Sequence, residues 1–469
     1  MKNSLRPVNR LPPEVLASCA TFVSDNDPRP IVPLTRVCRH WRRSICSNPR
    51  SWTSISTAWK RLIPLCLERA GAVPLVVDIT VSDIVRDKDF LKQLLPHISK
   101  ISCLHLTGFL LIGTLERDLP GFFNLSIPNL TSLELQQVAE PFETFPSGRT
   151  PVPVVLQNVS KLTSLRLTRT PIYPTLLSIM SLRELQLLGY KNPFNFSTFI
   201  GFLRSNTDLE RVVLDIQFVA DSVETGPARK FPLSRLQHLS ITCTKAIDSK
   251  GLLSCISLPR GAHVEVLSTG LDPAVSLSSF LPSPPTPIHD FLAPITTIKA
   301  RPALQELQIF GNGSSLTFRS PGGTLNAHRK LASFPTAPVR ELYINNHPYK
   351  FNDVGIPQVM KRLPALEILV ISEAAVFPPA LFSALIEEPV LCPALKTIAF
   401  FDCNINSDII KELGEAIAKR GDSTAARVYR VVIVNSTGTI ILDRASIQQL
   451  QKSVPCVDIR VGDKLPDLT

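Results

Sequence analysis

The chain has 469 residues, of which 44% are hydrophobic and 19% are charged, and its formal net charge is +11. This length allows about three ordinary domains, or one small domain followed by a long repeat array. The hydrophobic content is sufficient for a large core and excludes a chain that is disordered throughout.

The first predicted elements are two helices within the first sixty residues. Pro12 and Pro13 suit the first turn of a helix, and Glu14 favours the positive end of the helix dipole. Apolar residues then recur at helical spacing and predict one buried stripe, formed by Val15, Leu16, Cys19 and Phe22. A second helix is predicted from about residue 31 to residue 47. Its buried face consists of Ile31, Leu34, Val37, Cys38, Trp41 and Ile45.

These sixty residues resemble an F-box, a short helical module that docks on a Skp-type adaptor of cullin ubiquitin ligases. Three blocks match in order and spacing: Leu11-Pro12-Pro13-Glu14-Val15-Leu16, Val37-Cys38-Arg39-His40-Trp41-Arg42 and Pro49-Arg50-Ser51-Trp52. The chain departs from the family where F-boxes usually carry Ile-Phe, because Cys19 and Ala20 stand there and bury less apolar surface.

The resemblance places the F-box at residues 8–56. It implies that nine residues contact or shape the adaptor interface: Leu11, Pro12, Val15, Leu16, Leu34, Val37, Cys38, Trp41 and Ile45. Trp52 would close the core beneath this interface.

Most of the positive charge also lies at this end of the chain. Residues 1–62 contain eleven Lys and Arg residues and three acidic residues. Such a patch can steer the chain toward an acidic partner, which Skp-type adaptors are, or be a solvated helix face, or bind nucleic acid. Nucleic acid is the least favoured partner, because no zinc-ligand spacing and no basic strand with interleaved aromatic residues accompanies the charge.

A linker helix is predicted at residues 57–72, and one apolar pattern then repeats as far as the end of the chain. Its clearer copies begin at residues 101, 130, 162, 182, 209, 236, 304, 339, 366 and 395, and weaker ones at 428 and 454. Alternation within each copy predicts a strand, and Val77 and Ile79 are predicted to begin the series. Strands that recur about every 27 residues are typical of leucine-rich repeats.

The predicted fold class is therefore an α/β repeat, with a small helical F-box followed by a leucine-rich-repeat-like solenoid at residues 73–469. The usual repeat has Asn or Cys three residues after the last leucine, and here only Asn312 and Cys403 stand there. The chain thus resembles fungal F-box proteins with degenerate leucine-rich tails. Helices are predicted between strands at 353–363, 378–385 and 407–420. A Pro/Ser-rich insertion near 270–303 is predicted to be an exposed excursion, either an inert loop or a binding feature.

The resemblance implies a substrate-recognition subunit of a Skp–cullin–F-box ubiquitin ligase. A protein target would bind outward residues beside the strand leucines: His105, Glu134, Arg166, Gln308, Phe310 and Tyr343. Two alternatives remain open, namely an interaction scaffold outside ubiquitin transfer and a nucleic-acid-associated protein that uses the basic N-terminus.

No enzyme motif, cofactor site or metal site is predicted. The glycine-rich stretch at 311–315 lacks the lysine and the helix start of a phosphate-binding loop, and is interpreted as a turn. None of the ten cysteines forms a C-x-x-C pair or faces a histidine at zinc-ligand spacing. The start of the chain has no apolar signal segment, and the longest apolar stretch is too short to span a bilayer. We expect a soluble protein of the cytoplasm, the nucleus or both, with reduced thiols and no membrane partner.

Overall fold

A computed structural model divides the chain into two compact units, Met1–Val219 and Ala220–Thr469. It describes residues 11–23, 31–86, 89–108, 127–137, 159–169, 179–189, 195–215, 217–218, 230–269, 280, 295–301, 306–311, 314–319, 339–345, 360–374, 381–382, 385, 391–421, 427–435 and 443–461. Both units combine helices with mostly parallel strands, which confirms the predicted α/β class. Within these ranges, no helix is both long enough and apolar enough to cross a bilayer.

The first unit begins with a small helical region. Its helices are α1 (Pro13–Val23), α2 (Ile31–Thr35), α3 (Arg39–Cys46) and α4 (Ile63–Ala70), with 3-10 helices at Pro49–Trp52 and Thr57–Leu62. The core includes Leu16, Ile31, Ile45 and Trp52, none more than 2% exposed. Trp52 Nε1 donates to the Ile45 carbonyl at 3.0 Å, and the Arg69 guanidinium lies 4.6 Å from the ring centroid. Trp52 therefore connects α3 with α4.

The prediction of one continuous helix from residue 31 is wrong. Cys38 separates α2 from α3 with extended backbone angles (φ −161°, ψ 175°). The Thr35 hydroxyl donates to the Val32 carbonyl at 2.8 Å and competes for an acceptor that a continuing helix would use. Arg42 Nε then donates to the Thr35 carbonyl at 3.0 Å, which satisfies a carbonyl at the end of α2.

Helix α1 also turns a different face inward from the one predicted. Leu16 and Ala20 are each 1% exposed, whereas Val15 is 43% exposed and Phe22 is 83% exposed. Cys19 is exposed as well. The predicted stripe mixed two faces, because Leu16 pairs with Ala20 four residues later on the core side. The other three residues form a separate apolar stripe on the solvent side.

A parallel sheet follows the helices of the first unit. Its strands are β1 (Ser54–Ser56), β2 (Leu75–Thr80), β3 (Ile101–Gly108), β4 (Ser132–Gln137), β5 (Ser164–Thr168), β6 (Glu184–Leu188) and β7 (Arg211–Asp215). Each strand pairs in parallel with the next one along the chain. Further helices are α5 (Val81–Arg86), α6 (Asp89–Leu94), a 3-10 helix (Leu95–Lys100) and α7 (Phe196–Ser205). Strand β1 was not predicted and lies inside the predicted F-box segment.

The leucines of the repeated pattern form the core of this sheet. Two rows lie in register across β2 to β7 and are at most 2% exposed: Val77, Leu104, Leu133, Leu165, Leu185 and Val212, then Ile79, Leu106, Leu135, Leu167, Leu187 and Leu214. The strand alternation of the pattern is therefore confirmed for these copies.

The second unit contains a larger sheet. Its strands are β9 (His238–Cys243), β11 (His263–Ser268), β12 (Ile295–Arg301), β13 (Glu306–Gly311), β14 (Ser314–Arg319), β15 (Glu341–Asn345), β16 (Ile368–Ser372), β17 (Thr397–Phe401), β18 (Arg430–Asn435) and β19 (Cys456–Val461), while β8 (Phe231–Pro232) pairs separately with β10 (Ile256–Ser257). The helices are α8 (Ala246–Cys255), α9 (Ser407–Gly421) and α10 (Arg444–Ser453). Helix α9 confirms the prediction for residues 407–420, whereas 353–363 and 378–385 lie mostly outside the described residues.

Pairing in this sheet interrupts the repeated pattern. The order is β9, β11, β14, β13, β12, β15, β16, β17, β18 and β19, and β13 runs antiparallel to both of its neighbours. Only residues 312 and 313 separate β13 from β14, and a parallel pair needs a connection of about a dozen residues or more. The copy at residue 304 is therefore a strand, but not a parallel one like the others.

Strand β12 also corrects the prediction for the Pro/Ser-rich insertion. Residues 295–301 pair with β13 on one side and with β15 on the other, so this part of 270–303 belongs to the sheet. Most of the remaining insertion lies outside the described residues.

Equivalent backbone contacts recur just before successive strands. In the first unit, the amide of Thr163 donates to the Thr131 carbonyl at 2.8 Å, and the amide of Arg183 donates to the Thr163 carbonyl at 2.7 Å. In the second unit, the amide of Glu367 donates to the Arg340 carbonyl at 2.8 Å, and that of Lys396 to the Glu367 carbonyl at 2.9 Å. The residue before each of these strands thus bonds to its counterpart one strand earlier.

Two buried polar side chains satisfy carbonyls between neighbouring segments. Cys403 Sγ donates to the Ile371 carbonyl at 3.4 Å, and burial raises the pKa of this thiol to about 11. Asn206 is 1% exposed; its side-chain amide donates to the Ile179 carbonyl at 2.8 Å, and its Oδ1 accepts from the Leu182 amide at 3.1 Å. Cys403 occupies a position at which the usual leucine-rich repeat has Asn or Cys, whereas the role of Asn206, which ends α7, was not predicted.

Candidate functional site

The nine residues predicted to contact or shape an adaptor interface fall into two groups. Leu16 and Ile45 are at most 1% exposed and belong to the core, so they can shape a surface but cannot contact a partner. The other seven reach the surface at least in part. We call them the helical docking face: Leu11, Pro12, Val15, Leu34, Val37, Cys38 and Trp41.

Apolar side chains dominate the helical docking face. Val15 and Val37 are each 43% exposed, and Leu34 and Trp41 are half-buried. His40 Nε2 lies 3.0 Å from the Leu11 carbonyl oxygen, so α3 holds the residues just before α1. Apolar surface of this kind contributes about 25 cal/mol per Å² when a partner covers it.

The exposed stripe of α1 extends this apolar surface. Phe22 and Cys19 follow Val15 at helical spacing, and Phe22 is the more exposed of the two. Both residues were predicted to belong to the buried stripe of α1. The signal that could have separated them is Ala20, because its pairing with Leu16 defines the inward face.

Exposed basic side chains lie on the same helical region as the helical docking face. The exposed arginines among the described residues on or beside α2 and α3 are Arg36, Arg39, Arg42, Arg43 and Arg50. The sequence from residue 28 to residue 67 contains no acidic residue, so nothing in this stretch offsets their charge. A surface of this composition attracts an acidic protein or a nucleic acid at long range.

The predicted target-binding residues of the first unit lie in one row. Side chains that alternate with the buried leucines point to the other face of the sheet. There Asp78, His105, Glu134, Arg166 and Gln186 stand in register on β2 to β6. We call these five residues the first outward row.

The charges of the first outward row face one another. Arg166 Nε lies 3.4 Å from Glu134 Oε1, and these side chains are 45% and 27% exposed. The pKa of the Asp78 carboxyl is raised, mainly by burial. The charge of Glu134 adds to this increase, and the nearby His105 partly offsets it. His105, Glu134 and Arg166 were predicted from the sequence, but the contacts between these side chains were not, because they depend on strand register.

The predicted target-binding residues of the second unit surround a lysine that was not predicted. Gln308, Lys299 and Tyr343 stand in register on β13, β12 and β15, and Phe310 follows Gln308 on the same face. The Lys299 Nζ lies 5.1 Å from the ring centroids of both Phe310 and Tyr343. Lys299 was missed because its strand fell within the predicted insertion.

Glu341 fixes the hydroxyl of Tyr343. Burial raises the pKa of Tyr343, and the charge of Glu341 and a hydrogen bond to it raise this pKa further. The phenol therefore stays protonated and donates to Glu341. Thr297 Oγ1 donates to the same carboxylate at 3.0 Å.

Beyond β15 the outward face is apolar and buried. Its members are at most 5% exposed, and we call them the buried outward patch: Val370, Ala399, Phe401, Val432 and Val434. Tyr343 and Ile368 pack against this patch. A target protein therefore cannot reach these five side chains while the chain keeps this conformation.

The described part of the chain holds no group of three or more His, Cys, Asp or Glu side chains arranged for a metal ion. No protein-family model matches the chain, and no curated protein matches it. The F-box and leucine-rich-repeat resemblances thus stay predictions from the sequence.

Proposed function

We propose that this chain is the substrate-recognition subunit of a Skp–cullin–F-box ubiquitin ligase. In this proposal residues 8–56 are an F-box that docks on a Skp-type adaptor. Residues 73–469 form a leucine-rich-repeat-like solenoid that holds a target protein, and the chain itself carries out no bond chemistry.

The helical docking face is the observation that carries this proposal. Seven of the nine residues that the F-box resemblance assigns to the interface are at least partly exposed on one small helical region. The two others, Leu16 and Ile45, lie in the core beneath them together with Trp52. An apolar surface over a rigid helical core suits a permanent protein partner.

The strands support the second half of the proposal. The backbone contact before each strand repeats from segment to segment, as expected for an array whose units pack only on their neighbours. The first outward row and the residues around Lys299 present polar and aromatic side chains on the face opposite the leucines. Rows of this kind are suited to recognising an extended partner.

The proposed mechanism is proximity. A target held by the strands and a ligase held by the helices would raise the local concentration of target lysines near the charged ubiquitin carrier. The exposed arginines would accelerate encounter with an acidic adaptor, and salt would weaken this effect.

The decisive test is co-expression of the full chain with a Skp-type adaptor, followed by co-purification. A Val15→Asp/Val37→Asp variant places two charges on the helical docking face, and we expect it to lose more than tenfold in adaptor affinity. Leu95→Asp is the matched control, because Leu95 is 44% exposed and lies outside α1 to α3. We expect this control and the wild-type chain to bind the adaptor equally.

A wild-type chain that binds no adaptor would overturn the ligase proposal and leave the interaction scaffold as the better interpretation. Thermal unfolding of each variant shows whether lost binding reflects lost folding. Binding of duplex DNA with a steep salt dependence, lost in Arg39→Gln/Arg43→Gln, would instead favour the nucleic-acid alternative.

A further inference from the structure

Lys299 is held between two aromatic rings on the outward face of the second unit. Its ammonium lies 5.1 Å from the centroid of Phe310 on β13 and 5.1 Å from that of Tyr343 on β15. We call these three residues the lysine clamp. A cation over two ring faces is attracted by both, so the rings restrict where this flexible side chain can point.

The clamp is supported by a chain of hydrogen bonds. Thr297 Oγ1 donates to Glu341 at 3.0 Å, and the Tyr343 hydroxyl donates to the same carboxylate. Tyr343 also packs against the buried outward patch. The Tyr343 hydroxyl is hydrogen-bonded and its ring is packed against the patch. The ring that faces Lys299 is therefore held in place before any partner binds.

The ammonium itself has no acidic partner in the described part of the chain. The ion pairs there join other residues, and Glu341 is already bonded to two hydroxyl groups. Glu265, which stands on the same face two strands beyond Gln308, accepts from Ser240 Oγ at 3.1 Å. A carboxylate from outside could thus bond to Lys299 without displacing a described one.

The surroundings favour a peptide over a single-stranded nucleic acid. Nucleic-acid platforms stack bases on open aromatic faces, but here Lys299 lies over the faces of both rings. Glu341 and Glu265 would repel a phosphate backbone. A peptide carboxylate needs no open ring face, and its single charge meets less repulsion from these glutamates than a phosphate at every nucleotide would.

We propose that the lysine clamp binds a single aspartate or glutamate side chain in an extended segment of a partner protein. This segment would cross β12 to β14, because the buried outward patch closes the face beyond β15. The identity of the segment as a ligase target rests on the proposed function, whereas the binding itself does not.

The test is selection of displayed random twelve-residue peptides on the purified full chain. We expect the wild-type chain to enrich peptides with Asp or Glu at one fixed position. A synthetic copy of the best peptide should bind about tenfold more weakly to Lys299→Met, and replacing its acidic residue with Gln or Asn should cause a similar loss. Lys299→Arg keeps the charge over the rings and should retain binding.

A charge reversal sharpens this test. Selection on Lys299→Glu should enrich Lys or Arg where the wild-type chain selects an acid. Lys396→Met is the matched control, because Lys396 lies just before β17 and pairs with Glu367 instead of contacting the clamp. This change should leave peptide affinity unaltered. Unfolding curves that match the wild type would establish that all of these variants are folded.

Four results would overturn the inference. The selection could enrich no peptide, or enrich peptides without an acidic preference. The acidic preference could survive in Lys299→Glu, or an oligothymidylate probe could bind in a manner that depends on Lys299. Adaptor co-purification is measured separately, so a lost peptide site with intact adaptor binding is distinguishable from failure of the ligase proposal.

Discussion

The outward faces of strands β2 to β6 and β16 to β18 differ although their inward faces are alike. In the first set, Asp78, Glu134 and Arg166 alternate with buried leucines and reach the surface. In the second set, Val370 and Val432 alternate with equally buried residues and are themselves at most 3% exposed. One set thus has a leucine core on one side, whereas the other is buried on both sides.

This difference is visible in the sequence of each strand. Strand β5 reads SLRLT, with polar residues at every second position, whereas β17 reads TIAFF and β18 reads RVVIVN. Strands covered on both faces carry nearly continuous apolar runs, and strands covered on one face alternate. Exposed surface for a partner is therefore expected on strands with strict alternation rather than on continuously apolar strands.

The largest expected effect is on the two-sided burial of β16 to β18. Val432→Asn puts an amide into the buried outward patch, and we expect a loss of about 3 kcal/mol in the free energy of unfolding. Val213→Asn is the matched control, since Val213 stands outward on β7 but is only half-buried, and should cost about 1 kcal/mol. Urea unfolding of both variants measures the difference, and equal losses would contradict two-sided burial.

A smaller effect is expected at Asp78, a carboxyl of the first outward row. Burial raises the pKa of Asp78, so the folded state binds its proton more tightly than the unfolded state does. The folded state is therefore penalised at pH values above the folded pKa, and this penalty disappears as the pH falls below the unfolded value. We expect Asp78→Asn to stabilise the chain at pH 7, and this gain to shrink toward pH 4.

Asp443 provides a control of opposite sign for this pH series. Its carboxylate accepts from the Ser446 amide at the start of α10, which lowers its pKa. Asp443→Ala should therefore destabilise the chain at pH 7, and this loss should fade as the pH drops through the folded pKa. Two variants with the same pH trend would show that the trend does not arise from these carboxyls.

The smallest expected effect concerns the pair of Glu134 and Arg166. Both side chains are partly exposed, so a double-mutant cycle with alanine should give a coupling energy of about 0.5 kcal/mol or less, and less still in 0.5 M salt. A coupling above about 2 kcal/mol would mean that this part of the first outward row is shielded from water, as the buried outward patch is.

Local sequence patterns predicted those elements whose structure depends only on which face they bury. Alternating leucines identified β3 to β7, and the spacing of apolar residues identified α9, because each pattern reflects the face that one element buries. The break at Cys38 was missed because it depends on the Thr35 hydroxyl and Arg42. The reversed direction of β13 was missed because alternation is the same for parallel and antiparallel strands.

The candidate sites were predictable only in part for the same reason. Gln308, Phe310 and Tyr343 could be chosen as outward residues from alternation alone. That Lys299 lies between two of their rings depends on strand order, because β12 stands between β13 and β15, which are not consecutive along the chain. Cys19 and Phe22 were predicted to be buried but are exposed, because an apolar residue on a helix does not always face the core.

The reversed strand β13 also bears on how the second unit folds. Closing β13 on β14 requires a two-residue loop, whereas each parallel pair must first bring together strands separated by a long connection. The entropy cost of closing a flexible loop rises by about 0.6 kcal/mol with each doubling of its length, and hairpins form in about 1–10 μs. The β13–β14 hairpin of the second unit can therefore form early, and the slower, non-local strand pairs can form against it. The described strands of the first unit, all paired in parallel, offer no such starting point.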